Sequence, residues 1–365
     1  EWGLDHIFGP HIHWMGLTEI HPLKTLKDFE DLLSRYREIP KVMDQYLSDL
    51  ADGMRSGRVA PSVAYDRVVL QLEGFCKTKS DASPFLKVLK RFPEDFKKSD
   101  KRRFEKNFEQ ALSCDIEPAY RKFHDFLTKH YRPYARKTAG IKFMPDGLEN
   151  YLYRIKRNTT TDESPEELHR LGLEELAKNE AEILAVAKKI GHRGGVRSFL
   201  DKIKSDRKNY FKSEREMIQK HTETLEGMKR LLPAYFKTLP TIPFDIKKID
   251  SYKAPAAPAA YYYPPTQDGS RPGIFWMNTY KPEQWAIYSM ETLAYHEAIP
   301  GHHLQIALST EQRNLPTFQR CAHFTAYIEG WAHYTERLAD EMGAYSDELQ
   351  RVGMLLDQAW RAIRL

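Results

Sequence analysis

Cysteine is scarce: Cys76, Cys114 and Cys321 are the only three in 365 residues, odd in number, far apart and without a Cys-x-x-Cys. That excludes a disulfide framework and a thiolate metal site, and leaves buried free thiols as the expectation. No apolar run reaches the roughly eighteen residues that a bilayer-spanning helix needs. The opening Glu1-Trp2-Gly3-Leu4 has neither the basic flank nor the apolar stretch of a signal peptide, and no initiating Met precedes it. At the other end Leu355, Leu356, Trp360, Ile363 and Leu365 still repeat at helical spacing without a cap, so both ends read as those of a fragment. An excess of one charge is also lacking. The 56 basic and 51 acidic residues leave a net charge of +5, spread along the chain. Short clusters such as Lys97-Lys98 and Lys101-Arg102-Arg103 fit a solvated helix face, so nucleic acid is not an expected partner.

What is present is amphipathic helix. With 41% hydrophobic residues the chain can bury a full core. From Thr25 to Ser56, Leu26, Phe29, Leu32, Leu33, Tyr36, Ile39, Val42, Met43, Tyr46 and Leu50 recur at three-to-four spacing, and Gly57 closes the segment. Pro61 and Pro84 each open another apolar-periodic segment. Ser164-Pro165-Glu166-Glu167 is a capping box for a helix to Gly191, and Ser213 repeats the device for a helix through about Leu232. Seven prolines between Leu239 and Asn278 forbid continuous helix there. Ala259 to Tyr263 and Ile274 to Asn278 instead read as short strands around a turn at Gln267-Asp268-Gly269-Ser270. Helix resumes at Pro282 and breaks near Asn314-Leu315-Pro316. The expectation is a mainly α fold with a small antiparallel sheet. Residues 1–150 would form a helical scaffold and 151–365 the region that carries chemistry, as two parts or one continuous domain.

The chemistry centres on His296-Glu297, then Pro300-Gly301-His302-His303, then Glu329 on a later helix. Two imidazoles, a carboxylate beside the first and a second, distant carboxylate are the parts of a zinc hydrolase site. In a regular zinc helix the second His follows the first by four residues, but here Pro300 holds that position. An offset of six would turn His302 by about 120° and move it ~9 Å along the axis. Pro300 has no N–H and its ring would strike the carbonyl of His296, so the helix must bulge or kink, and Gly301 allows the dihedrals this requires. The bulge would bring His302 to the position a four-residue spacing gives. His303, seven residues on, is the alternate ligand, and His333, one turn after Glu329, could bind metal or support a ligand. Glu297 would serve as general base, Gln305 would steady His302, and Glu336 shares the Glu329 stripe.

These residues resemble a bacterial family known only as domain of unknown function 885, with the pattern His-Glu-x-x-Pro-Gly-His-x-x-Gln matched by His296, Glu297, Pro300, Gly301, His302 and Gln305. The resemblance takes in Tyr263-x-Pro265, Asp268 to Phe275 and Tyr327-x-Glu329-Gly330-Trp331-x-x-Tyr334-x-Glu336. It covers about 150–365, and the first 150 residues weakly. It implies a layout similar to helical zinc peptidases and, because many members are exported or lipid-anchored, a place in the bacterial envelope. Members of the family continue past the point matching Leu365 into an Asp-x-Gly-x-His-x-x-Gly-Trp segment.

By analogy with such peptidases, one Zn2+ ion would be the cofactor and a peptide the substrate, with the strand from Ile274 to Asn278 pairing with the peptide backbone. Phe275 and Asn278 would then contact substrate and Arg271 its carboxylate, while Tyr263, its neighbour Tyr262 or Tyr334 could donate to an oxyanion. Two other readings compete: a carboxylate-bridged di-iron protein, for which the required Glu-x-x-His pairs are missing from the site, and a helical binding protein with a degenerate site. Oligomeric state is not legible.

Overall fold

The computed structural model describes residues 3–78, 80–249 and 254–365; the expectation for the first two residues lies outside them. The chain is mainly α with one small sheet. It divides into two compact units, Glu1–Tyr151 and Leu152–Leu365.

In the first unit the helix Leu26–Ser56 starts where Thr25 and Asp28 cap each other's backbone N–H groups, at 3.2 and 2.8 Å. It ends at Gly57, whose φ of 71° lies in the left-handed region. Phe29, Leu32, Leu33, Tyr36, Ile39, Met43, Leu47 and Leu50 form its buried stripe, whereas Leu26 and Val42, expected on that stripe, are exposed. The next long rod, from Lys98 to Tyr131, contains two π-helical turns, Leu112–Ile116 and Leu127–Tyr131. Pro118 follows the first of them. Its missing N–H leaves a gap in the regular bonding ladder, which the wider turn absorbs. All three cysteines are free, but Cys114 and Cys321 are exposed and Cys76 is half-buried, so the expected buried thiols are not found.

In the second unit Ser164 and Glu167 form the expected capping box and the helix runs Pro165–Lys189. The helix begun at Ser213 runs Glu214–Tyr235 and includes Pro233. The sheet is mixed rather than antiparallel. Its order is β1-β3-β2, with β1 Phe244–Lys248 parallel to β3 Gly273–Met277 and β2 Ala260–Tyr263 antiparallel to it. β1 was hidden among prolines. Its apolar residues Phe244 and Ile246 alternate with exposed Asp245 and Lys247, which is the period-two signal of a half-covered strand. The sheet's β2 edge packs against the helix Met290–Glu297, which also touches the helices Glu214–Tyr235, Thr325–Glu341 and Glu348–Ile363. Met290, Ala294, Tyr295 and His296 are buried within that packing. The helix that starts the site is therefore the core element of this unit. A second break, after Glu341, was missed in the sequence; Gly343, at φ 67°, makes the turn into Glu348–Ile363.

Candidate metal centre

Between the two histidines the helix stops instead of bulging. Met290–Glu297 ends, Ala298 to Gly301 form a turn with a cis Ile299–Pro300 bond, and a new helix runs His302–Glu311. The His303 N–H reaches back to the Ala298 carbonyl at 2.9 Å, which joins the two segments. A Cβ on Gly301 would lie 1.9 Å from the His296 carbonyl oxygen and 2.4 Å from that of Tyr295, so only glycine lets the turn fold this tightly. The Trp331 indole N–H donates to the Pro300 carbonyl at 2.9 Å and fastens the turn to the helix Thr325–Glu341. The result puts the His296 and His302 rings 4.8 Å apart and 85° to one another.

Glu329 approaches both. Its Oε2 lies 3.6 Å from His296 Nε2 and 3.7 Å from His302 Nε2, and the three donor atoms fall within 4.8 Å of one another. Ligand atoms about 2.0–2.1 Å from a tetrahedral zinc sit roughly 3.3–3.5 Å apart, so the two separations from Glu329 are already close to that spacing, while the set as a whole, spread over up to 4.8 Å, would draw together by as much as about an ångström around an ion. Two imidazole nitrogens and one carboxylate oxygen are donors that zinc accepts, and both rings are buried while Glu329 stays open to solvent. The residues fit the ion.

The surrounding charges favour a cation. Burial alone would lower the His296 pKa, but hydrogen bonds that its ring donates to Glu329 and Glu336, with the charge of Glu297, raise it to about 9. His302 is pushed the other way by burial and by the positive field of His296. The Glu329 carboxyl is held below its usual range by its bond to His296. Burial, with the charge of Glu329 adding to it, lifts Glu297 to about 7 against the opposing charge of His296.

Behind His296 lies a feature the sequence did not disclose in full. His296 Nδ1 is 2.8 Å from Glu336 Oε1, which also accepts from Arg361 Nη2 at 2.8 Å. Arg361 Nη2 is 3.2 Å from the same Nδ1, but that nitrogen cannot donate to Glu336 and accept from Arg361 at once. The charge-assisted bond to Glu336 dominates. It fixes the ring so that Nε2 faces Glu329 and His302. Arg361 Nη1 donates to the Asp357 carbonyl, and burial followed by repulsion from Glu336 raises the Asp357 carboxyl to about 7. Asp357 and Arg361 are four apart on Glu348–Ile363 and look in the sequence like a solvated surface pair. Nothing local shows that their helix is packed against the site.

Several expected site residues are placed elsewhere. His303 is outside the group: its Nε2–H donates to the Ile242 carbonyl at 3.1 Å and its Nδ1 accepts from the Tyr262 hydroxyl at 2.8 Å. His333 lies near Glu336 and Arg361, and burial lowers its pKa, but it does not join the three donors. Gln305 Oε1 and His302 Nδ1 are both buried without a partner, so the expected brace between them is not made. Phe275 is fully buried in the core beside Ala294 and Tyr295 and is corrected from a substrate contact to a packing residue. Asn278 is corrected likewise. Its amide donates to the carbonyls of Ala254, Ala257 and Pro258 and its Oδ1 accepts from Tyr280 N–H, which locks a loop. Arg271 spends its guanidinium on the Pro264 and Pro272 carbonyls and on the Tyr263 ring, 5.1 Å away, so it braces the β2–β3 connection. Tyr334, five residues from Glu329, is turned about 140° from it on the helix and packs on Trp331 at the surface.

The strand expected to meet a peptide is corrected too. β3 is central and has neighbours on both sides, so its main chain has no free edge. β2 is the edge beside the site. The Asn278 N–H to Ala259 carbonyl bond sets the alternation, which turns the main-chain groups of Ala260 and Tyr262 outward. The Tyr262 N–H donates to the Glu297 carboxylate. Tyr262 also lays its ring near that of His302, at 6.5 Å and 23°. Tyr262 thus brings a phenol ring beside a ligand, and its hydroxyl is taken by His303.

A helical protein in which two buried histidines and a solvent-open glutamate form one cluster is the class these features define. The chain belongs to the family described as bacterial protein of unknown function (DUF885), whose profile matches residues 2–365, so the likeness extends over the first 150 residues as well. The structure of a "putative lipoprotein" from Colwellia psychrerythraea is similar over 99% of this chain and 63% of its own length, with 26% identity and a TM-score of 0.94. One from Shewanella oneidensis, also described as a "putative lipoprotein" and of unknown function, shares the fold at 16% identity and a TM-score of 0.59, over 99% of this chain and 64% of its own. The chain thus spans under two thirds of the length of these solved structures. No curated protein matches it. Among the described residues no helix is long and apolar enough to cross a membrane.

Proposed function

We propose that the protein is a zinc-dependent hydrolase that cleaves peptide bonds, with His296, His302 and Glu329 as the ligands. The observation that carries this reading is the convergence of those three donor atoms within 4.8 Å, with Glu297 next to the first of them. A bound Zn2+ would supply Lewis acidity and lower the pKa of water at the reaction centre. Glu297, lifted towards neutrality by burial and held by the Tyr262 N–H, would take a proton from the attacking water and deliver it to the leaving nitrogen. Glu336 and Arg361 hold His296 in the tautomer that presents Nε2. The outward main-chain groups of β2 lie beside Glu297, where an extended substrate could pair. Likeness to the Colwellia psychrerythraea protein described as a "putative lipoprotein" supports an exported, envelope-associated role.

The test is metal analysis of the purified protein, with digestion of a peptide library read by mass spectrometry with and without a chelator. One zinc per chain and chelator-sensitive cleavage are expected. Glu297→Gln should keep the metal and lose cleavage by a factor on the order of a thousand or more. A library left intact by zinc-loaded protein would overturn the reading.

A further inference from the structure

Beside the metal group the second unit holds a cavity of about 540 Å³, with His296, Glu297 and Glu329 in its lining. That volume is in the range that holds small ligands, roughly 300–1,000 Å³. Three carboxylates and two guanidinium groups line it, and all but one of these are engaged. Glu329 lies against the two histidines, and Glu297 accepts from the Tyr262 N–H. Arg361 gives Nη2 to Glu336 and Nη1 to the main-chain carbonyl of Asp357. Arg364 is exposed, with its guanidinium 4.8 Å from the centre of the Trp360 ring. The one left over is the side chain of Asp357.

Among the described residues the Asp357 carboxylate makes no hydrogen bond and no ion pair; Glu336, Arg361 and His296 act on it through charge alone. The side chain is largely covered by protein. Its oxygens are nevertheless not among the sealed atoms that lack a partner, so they keep a surface through which an occupant of the cavity can reach them. Asp357 and Arg361 are one turn apart on Glu348–Ile363, and Arg361 reaches Glu336 behind His296. The helix that braces the metal group thus also supplies the cavity with its unpaired anion.

A carboxylate drawn out of water without a countercharge is unfavourable, and burial with the repulsion of Glu336 lifts this one to about 7. A cation that donates hydrogen bonds to it removes that cost, and a primary ammonium, compact and with three donors, suits a single open carboxylate. Met217, Met277, Met290, Trp285 and Leu293 supply apolar wall to the same cavity, where the hydrocarbon attached to such a cation can lie.

We propose that this cavity receives a primary ammonium group of the substrate, with Asp357 as its countercharge and the apolar wall taking the attached hydrocarbon. Calling the ligand a substrate rests on the peptidase reading. The binding itself does not. In a peptide that group is either the free amino terminus or a lysine side chain, and both present the same cation.

Saturation-transfer NMR titrations of the zinc-loaded protein with leucinamide, N-acetyl-lysinamide and N-acetyl-leucinamide test this. The first compound carries the ammonium at its amino terminus, the second carries it on its side chain and the third lacks it. At least one of the first two should bind about ten- to a hundredfold more tightly than the third, and which one does so identifies the source. Asp357→Asn, which keeps the size and removes the charge, should abolish that advantage with zinc content unchanged. An advantage that survives the substitution would place the amine on the metal and overturn the inference, as would equal binding of all three compounds or binding of none. Should the variant fail to fold, the titration is repeated on unaltered protein stripped of zinc: an advantage that persists belongs to Asp357, and one lost with the metal overturns the inference. Ammonium-dependent binding without peptide cleavage would sink the peptidase reading alone, and cleavage with no such dependence would sink this one alone.

Discussion

The two units bury different things. In the first, Phe29, Tyr36, Phe85, Phe104, Phe108, Tyr120, Phe123 and Tyr131 are fully covered, and each buried phenol has a backbone partner, such as Tyr36 with the Phe85 carbonyl and Tyr131 with the Ala60 N–H. Its buried polar residues are His11, Thr18, His21 and Ser83, none of them a carboxylate, and His11 Nδ1, His21 Nδ1 and Ser83 Oγ have no partner. In the second unit the buried set includes the carboxylates Glu291 and Glu336 and four histidines, and Glu336 Oε2, His302 Nδ1 and His221 Nε2 have no partner. A buried carboxylate costs stability, so its retention points to use. The first unit has unpartnered buried atoms too, among them Trp14 Nε1, but its buried residues include no carboxylate. The second keeps polar groups that a ligand or ion would complete.

That contrast can be broken at four places. Gly301→Ala, whose Cβ would meet the His296 carbonyl, should be the most disruptive: a loss of about 5 kcal/mol in denaturant unfolding together with loss of zinc. A variant that still binds zinc stoichiometrically would show that the turn between the histidines is not what aligns them. Phe29→Ala should destabilise the first unit by about 3–5 kcal/mol, seen in thermal melts, yet leave zinc content unchanged. Metal loss in that variant would erase the distinction between the units.

The third concerns pH. His221 has a folded pKa of about 4 against 6.5 for an unperturbed imidazole, so the unfolded chain binds the extra proton first. Its contribution is whole above 6.5 and is lost as pH falls towards 4, by up to about 3 kcal/mol. His221→Phe should flatten that acid limb in unfolding titrations. An unchanged slope would mean that the ring is not held neutral. The mildest change is Glu336→Gln, which weakens the bond that orients His296 and should lower zinc affinity by about ten- to a hundredfold in competition with a chelator. Affinity equal to that of the unaltered protein would remove Glu336 from the site.

Much of this was legible locally. Thr25, Gly57, Ser164 and Ser213 mark helix ends through bonds to residues within four positions, and the structure shows those ends where their spacing put them. The incompatibility of Pro300 with a regular helix was equally plain, although the outcome is a full break with a turn. β1 was missed because a five-residue alternation amid prolines is a weak signal, and its parallel pairing with β3 links segments about thirty residues apart. Phe275 and Asn278 were read as facing a substrate because the position of their strand within the sheet was unknown. A central strand turns its side chains into the core or a loop, and its main chain is already paired.

Composition and order along the chain determined the helical class, the caps and the inventory of donors: two histidines around a forced break, a carboxylate beside the first and another on a later helix. Only the fold decided that His302 faces the group while His303 turns to Tyr262 and Ile242, and that Arg361 reaches Glu336 behind His296. The reason is range. Caps and periodicities act over a single turn of backbone, whereas a ligand set is closed by packing between helices whose separation in the chain carries no record of their meeting.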